Sequence, residues 1–319
     1  MRGILLTNVG TPSAPTPLAV KQYLREFLSD KRIVSLPKVI WLPLLHGFIL
    51  LRRARYAAAL YQKIWTDQGS PLLTTMQKIR EALSQNMQMP VALGMHYGEP
   101  SIAAGLAELA LQGVKTYIIC PLFPQYSHAT IASTYDRVQH ALRGQSPAPA
   151  ILPISAYANN EQYIHALAES VREQWQKQGD TRHLLISFHG LPKHSGKRGD
   201  PYASECEKTA RALAQRLALP KAAWTLCYQS RFGFARWLSP LTTQVLSELP
   251  KRGIKQINVI CPGFAVDCLE TLEEIAIRGR ELFLKSGGES LAYIPALNDN
   301  AQQIALLQAI IHERINHLF

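Results

Sequence analysis

His189 closes the apolar run Leu184–Phe188 and is followed by Gly190, Leu191 and Pro192. That order places an imidazole at the carboxyl end of a buried strand, facing a cleft. Imidazole titrates near neutrality, so it can accept a proton or, when neutral, ligate a metal; the plainer alternative is a histidine bonded to its own loop backbone. A second group lies in CPGFAVDCLETLEEI, Cys261–Ile275. A strand ends at Cys261, a turn follows, and a helix starts near Asp267. Asp267 is a candidate N-cap with Glu270 as its capping-box partner. The chemical alternative joins Glu270 to Glu274 and Glu281, which fall within about 40° of one another on a helix of 100° per residue, with Glu273 off to one side. Such a stripe is either a solvated face or a line of carboxylates that attracts a hard cation and passes it, or protons, toward a site.

The elements that must position these groups are legible as apolar runs. Gly3–Asn8, Val91–Met95, Tyr117–Pro121, Ile151–Ile154, Leu184–Phe188, Trp224–Cys227, Ile257–Cys261 and Leu291–Ile294 predict strands. Between them, Ile102–Gln112, Gln162–Lys177, Ser204–Leu217 and Leu269–Lys285 repeat apolar residues every three or four positions, as helices do. The strand runs are apolar throughout, as expected for parallel strands covered on both faces. The sequence also echoes itself. Ile4–Pro12 (ILLTNVGTP) matches Leu184–Pro192 (LLISFHGLP), and Gly113–Phe123 (GVKTYIICPLF) matches Gly253–Phe264 (GIKQINVICPGF). In that echo His189 takes the place of Val9. Two similar α/β halves explain the match, and open sheets bind ligands beyond the carboxyl ends of their strands. Pro147–Pro149 is the best linker, which divides the chain into residues 1–150 and 151–319. The C-terminal helix can return to the first domain.

Composition narrows the function. The 319 residues suffice for about two domains. With 47% hydrophobic and 18% charged residues, extended disorder is excluded. A net charge of +11 suits an anionic ligand, an acidic membrane surface or nucleic acid. No dinucleotide, P-loop or nucleophile-elbow motif occurs, and aromatics do not alternate with basic residues along a strand, so no nucleic-acid partner is expected. Five cysteines without a Cys-x-x-Cys pair argue against a disulfide framework or thiolate zinc site and for a reducing compartment. The N-terminus, MRGILLTNVGTP, carries no cleavage signal, so a cytoplasmic protein is expected. Val39–Leu51 (VIWLPLLHGFILL) is too short for a membrane span, which needs about 20 residues, and Pro43, His46 and Gly47 interrupt it. Lys31, Arg32 and Lys38 precede it and Arg52, Arg53 and Arg55 follow. It reads either as a buried helix pair or as an apolar lip over a ligand mouth or against a membrane surface.

Ten motifs in order resemble those of the ferrochelatases, of proteobacterial type. They are NVGTP at Asn8–Pro12, FLSD at Phe27–Asp30, GSPL at Gly69–Leu72, GMHYGEPS at Gly94–Ser101, PLFPQYS at Pro121–Ser127, SFHGLP at Ser187–Pro192, GDPY at Gly199–Tyr202, YQSRFG at Tyr228–Gly233, WLSP at Trp237–Pro240 and GFAVDCLETLEEI at Gly263–Ile275. The resemblance implies two similar doubly wound parallel-sheet α/β domains, Rossmann-like and of chelatase type, facing a central cleft. It implies a lyase that inserts Fe(II) into protoporphyrin IX with release of two protons, the last step of haem b biosynthesis. The family's invariant histidine falls on His189, its essential glutamate on Glu270 and its second acidic residue on Glu274. Porphyrin contacts fall on Tyr61, Ser70, Val9 and Tyr97. Departures are Cys268, where relatives often carry histidine, and His96, where some carry arginine. Some relatives hold an iron–sulfur cluster; here no cysteine follows Cys268 and His128 stands where one cluster cysteine would be. No cluster, and no cofactor beyond the substrate Fe(II), is expected.

The residue types suit that chemistry. A porphyrin is an apolar disc with anionic propionates at one edge, which Val39–Leu51 and Arg52, Arg53 or Arg55 could receive. Metallation removes two pyrrole protons and bends the ring, a strain of roughly 1–5 kcal/mol for a tight pocket to impose. Carboxylate and imidazole together can hold Fe(II) or take the protons, and coupled groups can share both tasks. The alternatives are a cobalt or sirohydrochlorin-type chelatase and a non-catalytic tetrapyrrole carrier.

Overall fold

A computed structural model describes residues 1–34, 36–233 and 235–316, with Lys38 described by its backbone alone; His317, Leu318 and Phe319 lie outside the described residues. Each of the eight apolar runs forms a strand. β1 (Arg2–Gly10), β2 (Val91–Tyr97), β3 (Thr116–Pro121) and β4 (Ala150–Pro153) make one parallel sheet in the order β2-β1-β3-β4. β5 (His183–His189), β6 (Trp224–Gln229), β7 (Gln256–Ile260) and β8 (Ser290–Ile294) make a second, in the order β6-β5-β7-β8. The two orders are the same, and the echoing segments are the two inner strands of each sheet, β1 with β5 and β3 with β7. Ile4, Leu5 and Leu6, like Leu184, Leu185 and Ile186, are fully buried.

The helices are α1 (Pro17–Ser29), α2 (Lys38–Leu44), α3 (Leu50–Ile64), α4 (Pro71–Met87), α5 (Ile102–Leu111), α6 (Ser133–Ala141), α7 (Glu161–Gln178), α8 (Lys193–Lys197), α9 (Tyr202–Arg216), α10 (Thr242–Glu248), α11 (Leu269–Thr271), α12 (Arg280–Lys285) and α13 (Ala301–Asn316). The chain groups into two compact units. One comprises Met1–Leu122, His128–Ser155 and Ile304–Phe319; the other comprises Phe123–Ser127 and Ala156–Gln303.

Both echoing glycines do the same work. A Cβ on Gly10, whose φ is +100°, would lie 1.9 Å from the Tyr97 carbonyl oxygen, and one on Gly190 would lie 2.7 Å from that of Gln229. Only glycine lets the strand end press onto its neighbour's main chain in this way.

Two sequence expectations need revision. Leu269–Lys285 is not one α-helix: α11 gives way to a π-helical segment, Leu272–Gly279, before α12. The wider i→i+5 winding keeps Ile275 and Phe283 in the core of the second unit with Leu185, Ile257 and Val259. In the polar Lys193–Tyr202 stretch, Lys193–Lys197 winds into α8, and Asp200 is buried, accepting from Ser127 Oγ and Tyr202 N. Val39–Leu51 is a buried and an open helical segment at once. Trp41, Leu45 and Leu50 pack with Leu28, while Val39 (87% exposed), Ile40, Leu44, Phe48 (73%) and Leu51 stand in solvent. The Trp41 indole fixes this orientation by donating to the Leu28 carbonyl at 2.6 Å. Among the described residues, no helix is long and apolar enough to cross a membrane.

Candidate active site

His189 is the last residue of β5 and is half-buried. Its Nδ1 lies 2.7 Å from the Gly190 carbonyl oxygen, which only accepts, so this contact assigns the ring proton to Nδ1. The backbone bond suggested as an alternative to chemistry is therefore present, and it leaves the Nε2 lone pair for a proton or a metal. Phe264 packs edge-on against the ring, with centroids 6.3 Å apart.

Glu270 is the second residue of α11 and is half-buried. The expected cap is wrong by one residue. Cys268 is the N-cap, and Thr271 closes the capping box, accepting from Cys268 N at 3.0 Å. Asp267 is 7% exposed and its carboxylate is already occupied, accepting from Thr271 Oγ1, Tyr293 OH and Asn298 Nδ2. Glu270 is thus released from capping. Burial pushes the Cys268 thiol well above its ordinary pKa, and the adjacent Glu270 carboxylate adds to that. A neutral thiol, not a thiolate, therefore stands at this N-cap.

Gln229 and Ser230, given no role by the sequence, join these elements. Gln229 ends β6 in register with His189, and its main-chain oxygen accepts from Gly190 N at 2.8 Å. Its Nε2 donates to the Glu270 carbonyl at 2.6 Å. Ser230, with φ of 63°, donates from N (2.8 Å) and Oγ (2.6 Å) to the two carboxylate oxygens of Glu274. The end of β6 thereby meets all three segments: Gln229 pairs with His189 and bonds Gly190 and Glu270, and Ser230 bonds Glu274. The expected stripe does not persist, because the π-helical segment breaks the 100° spacing. Glu281 is exposed, whereas Glu273, placed off the ridge, is fully buried and meets Arg278, five residues on, at 2.6 Å. Among the described residues, no group of three or more His, Cys, Asp or Glu side chains is arranged to hold a metal.

The other sequence candidates lie in the first unit. Val9 is the penultimate residue of β1 and half-buried. Ser70 precedes α4, 5% exposed, with its Oγ 2.8 Å from Thr11 Oγ1. Tyr61 lies on α3, 7% exposed, edge-on to Trp65. Tyr97 ends β2 at 1% exposure, its hydroxyl donating to Asp30 at 2.9 Å and its ring under the Arg137 guanidinium. Burial and the Asp30 charge push the Tyr97 phenol up. His96 is buried, its Nε2 2.7 Å from Thr134 Oγ1; desolvation and the nearby Arg137 charge lower it to about 3.

Two parallel four-stranded sheets of this order are the architecture of the chelatases. SirB from Bacillus subtilis with Fe3+ superposes with a TM-score of 0.58 at 13% identity, covering 98% of this chain and 95% of that one. CbiX gives 0.50 at 14% identity, covering 100% and 99%. At such identity this is a likeness of fold. Sequence is more specific: the chain belongs to the ferrochelatase family, whose model matches residues 1–315. It is similar to proteins named ferrochelatase from Vibrio cholerae (48% identical, over 97% of this chain and 97% of the relative) and Yersinia pestis (47%, over 98% of each). It is also similar to ferrochelatase 1 of Shewanella oneidensis (46%, over 98% of this chain and 95% of the relative).

Proposed function

We propose that the chain inserts Fe(II) into protoporphyrin IX to give protohaem, with loss of two protons, as a lyase of haem biosynthesis. The observation that carries this reading is the family membership, with identity of 46–48% over nearly the full length of proteins named ferrochelatase. The geometry supports it through His189, whose Nε2 is left with its lone pair, and Glu270, which capping does not use. A base near the ring centre takes the pyrrole protons, and an imidazole with a carboxylate suits Fe(II) as a substrate ligand set. Glu274, held by Ser230, is the second acidic residue beside this pair. On the resemblance alone, Val9, Tyr61, Ser70 and Tyr97 are proposed as porphyrin contacts. No iron–sulfur cluster or other cofactor is proposed; the five cysteines are buried thiols. We place the protein in the cytoplasm, with the exposed apolar side of Val39–Leu51 and the neighbouring Arg52, Arg53 and Arg55 touching a membrane surface peripherally. Neither the cobalt or sirohydrochlorin-type chelatase nor the carrier is favoured.

The test is an anaerobic absorbance assay of the purified protein with Fe(II) or Co(II) and with protoporphyrin or a sirohydrochlorin-type ring. Catalytic turnover of Fe(II) with protoporphyrin is expected. Turnover confined to the other ring, or porphyrin binding without turnover, would replace this reading by one of the alternatives.

A further inference from the structure

We propose that Gln229 is a positioning residue that sets the spacing of His189 and Glu270; this rests on the metal-insertion reading of that pair. The side chain is 2% exposed and both ends of its carboxamide are used. Oε1 accepts from Ser187 Oγ at 2.8 Å and from Cys261 Sγ at 3.4 Å, and Nε2 donates to the Glu270 carbonyl at 2.6 Å. The amide orientation is forced, because donors face the oxygen and a carbonyl, which only accepts, faces the nitrogen. The main chain of the same residue holds the other partner, accepting from Gly190 N at 2.8 Å, one peptide beyond His189.

The surrounding bonds lock this clamp. Ser187, two residues before His189 and on the opposite face from Phe188, also lies 2.9 Å from Thr242 Oγ1, so the oxygen end is tied to the start of α10. Cys261 follows β7 directly. One carboxamide thus links β5, the end of β7 and the first turn of α11. β6 is the outermost strand of its sheet, so its last residue has a ladder on one side alone. The side-chain bonds of Gln229 supply the restraint that a further strand would otherwise give. The bonds of Gln229 reach the main chain of Gly190 and of Glu270, so it acts through placement. The cost of misplacement is steep, since about 1 Å at a reacting group can lose a hundredfold in rate.

Two variants test this in the Fe(II)–protoporphyrin assay, alongside fluorescence titration of porphyrin binding and a thermal melt. Gln229→Leu keeps the bulk and removes both polar ends. We expect kcat to fall by about a hundredfold while porphyrin KM moves by less than about threefold. Gln229→Glu keeps the shape. Protonated, the introduced carboxyl donates to the Glu270 carbonyl; ionised, it presents a second oxygen to it. Its activity is expected near wild type at the acidic end of the assay and to fall as pH rises, a limb absent from the wild-type profile. Wild type tests the parent reading separately: no insertion by the unaltered protein removes the chelatase function itself. With wild type active, unchanged kcat in both variants would overturn the proposal. So would a parallel loss of porphyrin binding and kcat without the pH limb, which marks an ordinary core residue. Should Gln229→Leu not fold, the pH profile of Gln229→Glu decides alone.

Discussion

At the scale of residues, the two central groups are held in opposite ways. His189 is pinned through its own ring, with Nδ1 committed to the Gly190 carbonyl. Glu270 is placed by its neighbours, Thr271 and Cys268 closing the cap and Gln229 bonding its carbonyl. This separates fold from chemistry in a measurable way. Thr271→Ala is expected to cost about 1 kcal/mol of stability through the lost cap, read from denaturant melts. Glu270→Gln should leave stability within about 0.5 kcal/mol and strongly reduce metallation. A large stability loss from Glu270→Gln would return that residue to a structural role. His189 was legible because a histidine ending an apolar run is unusual against the surrounding pattern, whereas an acid in the first turn of a helix is common and the role of Glu270 was legible only through the family resemblance. Gln229 and Ser230 were not: a glutamine and a serine at a strand end are ordinary residue types, and their importance comes from partners far along the chain, Glu270, 41 positions from Gln229, and Glu274, 44 positions from Ser230.

At the scale of elements, the strands were readable because parallel strands buried on both faces leave unbroken apolar runs. The same reasoning misplaced the carboxylates after α11. Over eight residues a π-helical segment and an α-helix give similar apolar spacing, so Glu273 looked peripheral although it is buried against Arg278. The apolar segment Val39–Leu51 was legible as two alternatives because it serves one face to Leu28 and leaves the other open. The proposed membrane contact belongs to that open face. Val39→Asp with Phe48→Asp should weaken co-sedimentation with anionic phospholipid vesicles by about tenfold, since each change removes apolar area from the bound state. Activity on detergent-dispersed porphyrin should stay within about twofold. Unaltered vesicle binding would show that the open face is not the contact.

At the scale of the molecule, one strand order is used twice and the chemistry is unevenly shared. Val9 occupies in β1 the place that His189 occupies in β5, so the first unit has the architecture without the imidazole. Its polar interior serves stability instead. Neutral His96, lowered to about 3 by burial and Arg137, binds no proton between there and the ordinary histidine value of about 6.5, whereas the unfolded chain does. Stability therefore rises with pH across that window and is lost as pH falls through it. Asp30 acts in the same sense at lower pH. Burial pushes its carboxyl up, but the Arg32 N–H, the Tyr97 hydroxyl and Arg137 together hold it below its usual value. His96→Asn should flatten the decline in denaturant stability between pH 6.5 and 4 by up to about 1.4 kcal/mol per pH unit. An unchanged slope would show that His96 is not what acid attacks.

The convergence of His189 and Glu270 on one metal-insertion centre is tested most directly by comparing wild type with His189→Ala, measuring bound porphyrin and Fe(II) insertion in the same sample. The variant is predicted to bind protoporphyrin as wild type does and to form no haem above the uncatalysed rate. Full turnover by His189→Ala would contradict the account.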